Sequence, residues 1–458
     1  MQLSEQSPLS SSRLFIVKTD PGDGCSSCQG QFSFDPVRGY SGHLFLENYT
    51  VREGGFSDFS LPGKLTQHFL DVVTEDGQYA TFCYPRFGKK TWANLRALRV
   101  EFSFPYLLDK VGIAGSDDRS VTCLRIYCPT LASVLGVDPV DQSLNMPNTG
   151  GGAKFNISRT KWDASEYTIE IADRRNIGIS SDRSEARFRS EICLAISYKA
   201  PKSISEALRH LHALDDFLAI LSGRYVSIKT AWFGILLDGS DGEEEFQLSG
   251  YDIGISKDAF VGRHETLAQL PFDSNWGKVI ESFFVDWNKN EVAFKWFRSS
   301  QVKQRYVEEV FFYTVRMVER YFKAKPTADG DTSRALSIIL NRSNDDSFLI
   351  DFVNRRLSPL LVRAPSLPRT LSDLYAQFPE MRAFSKIKPQ RVNQLRGKEA
   401  HGADTNYDND EYVDMEYLSR SFLLAFRISI LESCGFNRQD IVNSARSPTS
   451  RVRYLLKD

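Results

Sequence analysis

Arg396 and His401 close the stretch Arg396-Gly-Lys-Glu-Ala-His401, and their types suit one reaction. RNA can be cut without a metal when its own 2′-hydroxyl attacks the neighbouring phosphate. That step needs a group that moves a proton near neutral pH, which a histidine supplies. It also needs a fixed cation on the phosphoryl oxygens, and the planar fork of an arginine is suited to them. Five steps along an ideal helix are about 500° of rotation, so the two side chains would diverge by about 140°. The spacing therefore predicts a helix that loosens between them, with Gly397 and Gly402 supplying the freedom.

The elements that must carry this pair are helical. From about residue 266 the apolar period is 3.6. Trp276, Val279, Ile280, Phe283, Phe284 and Trp287 line one helix face. The pattern predicts a longer helix from Gln301 to Lys323 with two apolar stripes, one of them including Phe311 and Val315. So much apolar surface calls for several partners, and a second subunit is the expected cover for one stripe. Shorter helices are expected over 333–340, 346–361 and 371–378. A last long one runs from about Asp410 to Cys434-Gly435, with Met415, Leu418, Phe422 and Phe426 inside.

Upstream, residues 13–265 alternate at period two. Leu98-Arg-Val-Glu-Phe-Ser-Phe104 and Tyr167-Thr-Ile-Glu-Ile171 are the clearest strands, with others expected over 42–51, 121–127, 191–198 and 225–237. One helix interrupts them. Ser203-Ile-Ser-Glu206 is a capping box, Ile204, Leu208, Leu211, Phe217 and Leu221 form its buried stripe, and Gly223 ends it. Residues 238–245 read as an acidic loop, and residues 1–12 as a frayed tail without the basic and apolar regions of a signal peptide. The fold class is α+β: a β-rich N-terminal domain over 13–265, then an all-α bundle over 266–458.

Composition narrows the function. The chain has 458 residues, a net charge of −1 and 41% hydrophobic residues, so no global basic field draws it to nucleic acid and any RNA contact must be local. Its 32 phenylalanines suggest a large aromatic core. No apolar run approaches the about 18 residues of a membrane span. Seven cysteines, an odd and sparse count, fit the cytoplasm.

The C-terminal half resembles the HEPN domain of the ApeA family of anti-phage abortive-infection proteins. Three segments carry the resemblance in order: Phe312-Tyr-Thr-Val-Arg-Met-Val-Glu-Arg-Tyr-Phe322 with its Glu319, the Arg396-to-His401 motif, and the closing helix that ends Leu431-Glu-Ser-Cys-Gly-Phe436. Tyr40-Ser-Gly-His-Leu-Phe-Leu-Glu47 and the helices around Trp287 and Trp296 are similar to the family's N-terminal region. The resemblance implies a metal-independent endoribonuclease that works as a homodimer through the HEPN domain or as a higher oligomer. It takes cellular RNA, tRNA among the substrates allowed, and answers a phage-derived trigger. His401 would be the general acid or base, Arg396 would stabilise phosphoryl charge, and Glu319 would orient either of them. No cofactor is implied. The motif departs from the family at Gly397, where the usual residue is polar and often Asn. A catalytically inactive HEPN protein that binds RNA or a phage protein is the alternative, and Lys398 is a partial substitute for the missing side chain.

Other residues have narrower readings. Lys398, Arg391 and Lys388 are the expected RNA contacts, in a basic cluster with Lys386, Arg355 and Arg356. The acids Asp404, Asp408, Asp410, Glu411 and Asp414 read as a solvated helix start rather than a metal site. Cys25 and Cys28 have the spacing of half a zinc site. Cys123 and Cys128 are a poor second half, because strand neighbours alternate faces, so no metal is expected. His43, His68, His210 and His212 have no nucleophile motif near them.

Overall fold

The computed structural model describes residues 13–17, 27–35, 39–47, 69–109, 121–127, 131, 159–179, 186–236, 243–250, 267, 275–301, 306–323, 337–341, 346–352, 366–400 and 407–457, with short breaks inside some of these spans. Contacts divide the chain into two compact units. The first is Met1–Ser222 with Val226–Glu281, and the second is Gly223–Tyr225 with Ser282–Asp458.

In the first unit the described strands form one antiparallel sheet of 14 strands. They are β1 (Arg13–Val17), β2 (Ser27–Asp35), β3 (Gly39–Glu47), β4 (Phe69–Thr74), β5 (Tyr79–Cys83), β6 (Arg86–Asn94) and β7 (Ala97–Phe104). The remainder are β8 (Tyr106–Asp109), β9 (Val121–Tyr127), β10 (Arg159–Asp163), β11 (Tyr167–Ile179), β12 (Ala186–Lys202), β13 (Thr230–Leu236) and β14 (Glu243–Gly250). The spatial order is β10-β11-β12-β9-β13-β14-β8-β5-β4-β1-β2-β3-β7-β6. Helix α1 (Ile204–Ser222) interrupts the strands as the capping box predicts. The Glu206 amide donates to the Ser203 hydroxyl at 3.2 Å, and the Ser203 amide donates back to the Glu206 carboxylate at 3.1 Å. Gly223 closes the helix at φ 79°. The expected acidic loop is corrected in part: Glu243, Glu244 and Glu245 belong to β14, paired with β13.

Alternation sorts the strands into two faces. On β2, β3 and β7 the even-numbered positions Phe32, Leu44, Val100, Phe102 and Phe104 are buried. They build an aromatic core in which Phe82 stacks on Phe104 at 4.0 Å and meets Phe15 edge-on at 5.0 Å. Gly30 makes room for that ring, since a Cβ there would lie 2.5 Å from Phe15. The odd-numbered positions of the same strands form the outer face.

In the second unit the helices are α2 (Trp276–Lys289), α3 (Glu291–Ser300), α4 (Val307–Tyr321), α5 (Ser347–Phe352), α6 (Leu367–Gln377), α7 (Arg382–Lys386), α8 (Pro389–Ala400), α9 (Asn409–Ser433) and α10 (Arg438–Arg446). The unit boundary falls inside α2. Phe426 of α9 is an aromatic centre, with Tyr321 at 4.9 Å and Phe294 and Phe297 each at 5.4 Å. Tyr321 donates to Asp286 at 3.1 Å and Asn290 to the same carboxyl at 2.9 Å. Burial raises the Asp286 pKa, against the pull of those donors. Arg438 closes the C-terminal end. It donates to the Gln377 carbonyl at 2.6 Å and to Glu380 at 2.9 Å, and lies 4.4 Å over the Phe378 ring.

Two helical expectations are corrected. The helix expected from Gln301 begins at Val307, and Gln301 instead caps α3. Phe311 and Val315 are fully buried within the chain, against the neighbours that α4 finds in α3 and α9, so neither can be the surface that a second subunit covers. Intramolecular helices cover Phe311 and Val315, whereas Tyr306, Val310 and Tyr313 of the other stripe keep exposed surface.

Candidate active site

Helix α8 places the candidate cations by its rotation. Val392 and Leu395 are fully buried, which fixes the helix on its inner side. Arg391 and Lys398 are seven positions apart, about 700°, so they share one stripe. Arg396 points elsewhere, about 200° from Lys398.

Arg396 reaches α4. Its Nη1 lies 3.3 Å from Glu319 Oε1, and the second carboxylate oxygen accepts from Arg316 Nη1, also at 3.3 Å. Glu319 thus does both things that its position allowed: it pairs with its helix neighbour Arg316 three residues back, and it holds Arg396 across the bundle. Arg316 in turn packs 5.2 Å over the Phe312 ring. Arg396 is only 23% exposed, and its Nε is buried with no hydrogen-bond partner among the described residues. A buried donor without an acceptor is costly, so the guanidinium is anchored at one edge and unsatisfied at another.

Lys398 and Arg391 meet a different acid. Lys398 Nζ donates to both Glu411 oxygens, at 2.7 and 2.8 Å, and sits 5.6 Å over the Tyr407 ring. Arg391 Nη2 lies 3.2 Å from the same carboxylate and its Nε 3.7 Å from Asp414. Glu411 is therefore not the solvated acid expected from the sequence; it is buried at the start of α9. Its amide donates to Asp408, the N-cap of that helix, at 2.7 Å. Both cations are tied to this acid yet keep exposed surface, 46% of the Lys398 side chain and 36% of that of Arg391, and Lys388 stands exposed just before α8.

Gly397 does not loosen the helix. Helix α8 continues through it to Ala400, its φ is not positive, and a Cβ would meet nothing within 4 Å. His401 and Gly402 lie outside the described residues, as do Asp404, Arg355, Arg356, Cys25, Cys128 and His68. Cys28 and Cys123 are buried in β2 and β9, between which six strands intervene in the sheet order. Among the described residues no group of three metal-ligating side chains comes together. Nor is any helix among them long and apolar enough to cross a membrane. The role of Glu411 had no local signal, because it depends on which helix faces which.

Residues 53–251 match the family model of the ApeA N-terminal domain 1. No curated protein and no solved structure matches the chain. Apart from Gly223–Tyr225 the matched span lies within the first unit, and it takes in β4 to β14 with α1. The ApeA N-terminal domain points to a family of anti-phage defence proteins. The match covers 199 of the 458 residues, and over that span the chain is similar to the ApeA family.

Proposed function

We propose that the chain is a defence effector whose helical unit is a HEPN metal-independent endoribonuclease. The observation that carries this reading is the ion pair of Glu319 with Arg396, which joins two of the segments of the family resemblance across the bundle. It is supported by the buried Arg396 Nε, which has no hydrogen-bond partner among the described residues and whose need a phosphoryl oxygen would meet.

In the proposed reaction the RNA 2′-oxygen forms a bond to the adjacent phosphorus and the bond to the 5′-oxygen breaks. His401 acts as general base on the 2′-hydroxyl proton or as general acid on the departing 5′-oxygen. Arg396 stabilises the charge that gathers on the phosphoryl oxygens. Glu319 fixes the direction of Arg396 without touching substrate. Two copies of the chain, related by a two-fold axis, would supply both proton-transfer roles from paired motifs. Lys388 just before α8, with Arg391 and Lys398 along it, are the cations that would meet RNA.

The test is cleavage of a defined RNA by the purified chain in excess chelator. The expected products end in a 2′,3′-cyclic phosphate and a 5′-hydroxyl. Cleavage that stops in chelator and returns with one divalent ion would refute the mechanism.

A further inference from the structure

The outer face of strands β2, β3, β7 and β6 holds a cavity of about 530 Å³, within the range of small-ligand sites. Strand register arranges its polar residues in two adjacent rows. One row runs Ser33–Ser41–Ser103–Arg86, since Ser33 pairs with Ser41, Ser41 with Ser103, and Ser103 with Arg86. The next runs Gln31–His43–Glu101 by the same pairings. Adjacent strands are ~4.8 Å apart, so a row spans about 14 Å from β2 to β6.

Three groups in this cavity are open to a ligand. His43 Nε2 lies 2.6 Å from the Arg99 guanidinium. A guanidinium only donates, so Nε2 accepts and the ring proton sits on Nδ1. That Nδ1 is buried and has no partner among the described residues. Arg86 and Glu101 line the same cavity with opposite charges, and neither has an ion-pair partner among the described residues. An amphoteric ligand satisfies all three: an anionic end for Arg86, an acceptor for His43 Nδ1–H, and a donor for Glu101.

We propose that this cavity is a binding site for a nucleoside monophosphate. The phosphate lies along the serine row at Arg86, where hydroxyls and a guanidinium provide converging donors. The base edge lies on the second row, where Gln31 and Glu101 offer the amide and carboxylate that pair with base edges. A single amino acid would leave most of 530 Å³ unfilled. The proposal rests on the sheet alone and does not depend on Arg396 or on nuclease activity.

Calorimetric titration of the full chain with the adenosine, guanosine, cytidine and uridine 5′-monophosphates tests it. The matching nucleosides, inorganic phosphate and a single-stranded DNA oligonucleotide serve as parallel probes. At least one monophosphate should bind saturably and more tightly than its nucleoside or phosphate alone. Arg86→Ala and Glu101→Ala, both at exposed positions that the core does not need, should each weaken it by roughly tenfold or more. Absence of saturable binding by any monophosphate would overturn the proposal. So would unchanged affinity in either variant, or binding of the oligonucleotide without that of a mononucleotide.

Discussion

Glu319 on α4 forms an ion pair with Arg396 on α8 at 3.3 Å, while its other oxygen accepts from Arg316 at the same distance. A carboxylate shared in this way fixes the guanidinium plane better than one contact would, because two cations hold the acid itself in place. Arg396→Ala should lower RNA cleavage by about 100- to 1,000-fold, the cost of losing one oriented donor at a developing charge. Glu319→Gln keeps the shape and loses the charge, and a drop of about 10- to 100-fold is expected. Single-turnover cleavage measures both, with circular dichroism to confirm the fold. Wild-type rates in Glu319→Gln would remove this acid from the machinery.

Gly397 sits in an unbroken helix with open space where a side chain would go. Gly397→Ala should therefore stabilise the chain by roughly 0.5–1 kcal/mol, the usual gain for replacing a helix-interior glycine. The midpoint of chemical denaturation is the measurement. A loss of stability would mean that the glycine serves a conformation other than this helix.

Burial holds His210 on α1 well below its ordinary value, at about 4, with Lys202 acting in the same direction. Its Nδ1 lies 3.0 Å from the Tyr198 hydroxyl. A histidine with a depressed folded pKa binds its proton more readily when unfolded. Its contribution is thus full above about pH 6.5 and is lost as pH falls towards about 4. The melting temperature of the wild type should fall more steeply over that window than that of His210→Gln. Parallel curves for the two proteins would show that His210 titrates normally.

Phe311 and Val315 lie inside the helical unit. Phe311→Asp buries a charge without a partner, and a cost above about 4 kcal/mol is expected. The variant should therefore lose its helical fold, seen by circular dichroism, instead of becoming a folded monomer. A folded monomer that sediments at half the wild-type mass would restore this helix face to a subunit interface.

Local pattern alone determined the kinds of element. Period two marked β7, β9 and β11, period 3.6 marked α2 and α9, and Ser203 with Glu206 marked the start of α1 to the residue. These signals are short-range, since burial of one face and capping of one turn involve neighbours within about four positions. The same pattern showed that the stretch around Phe311 had apolar surface to cover. It could not say that α3 and α9 cover it.

Tertiary structure decided everything that joins distant residues. His43 meets Arg99 56 positions away because β3 pairs with β7, and a one-residue slip in that register would turn every such side chain to the opposite face. Pairing with β13 drew into β14 acids that looked like a loop. That Lys398 and Arg391 meet Glu411 depended on where α9 begins relative to α8, and that Glu319 also reaches Arg396 depended on how α4 and α8 pack. A charge carries no signal for a partner on a distant element. The partner is chosen by the packing of apolar faces, which brings the helices together and leaves each charge to whatever lies opposite.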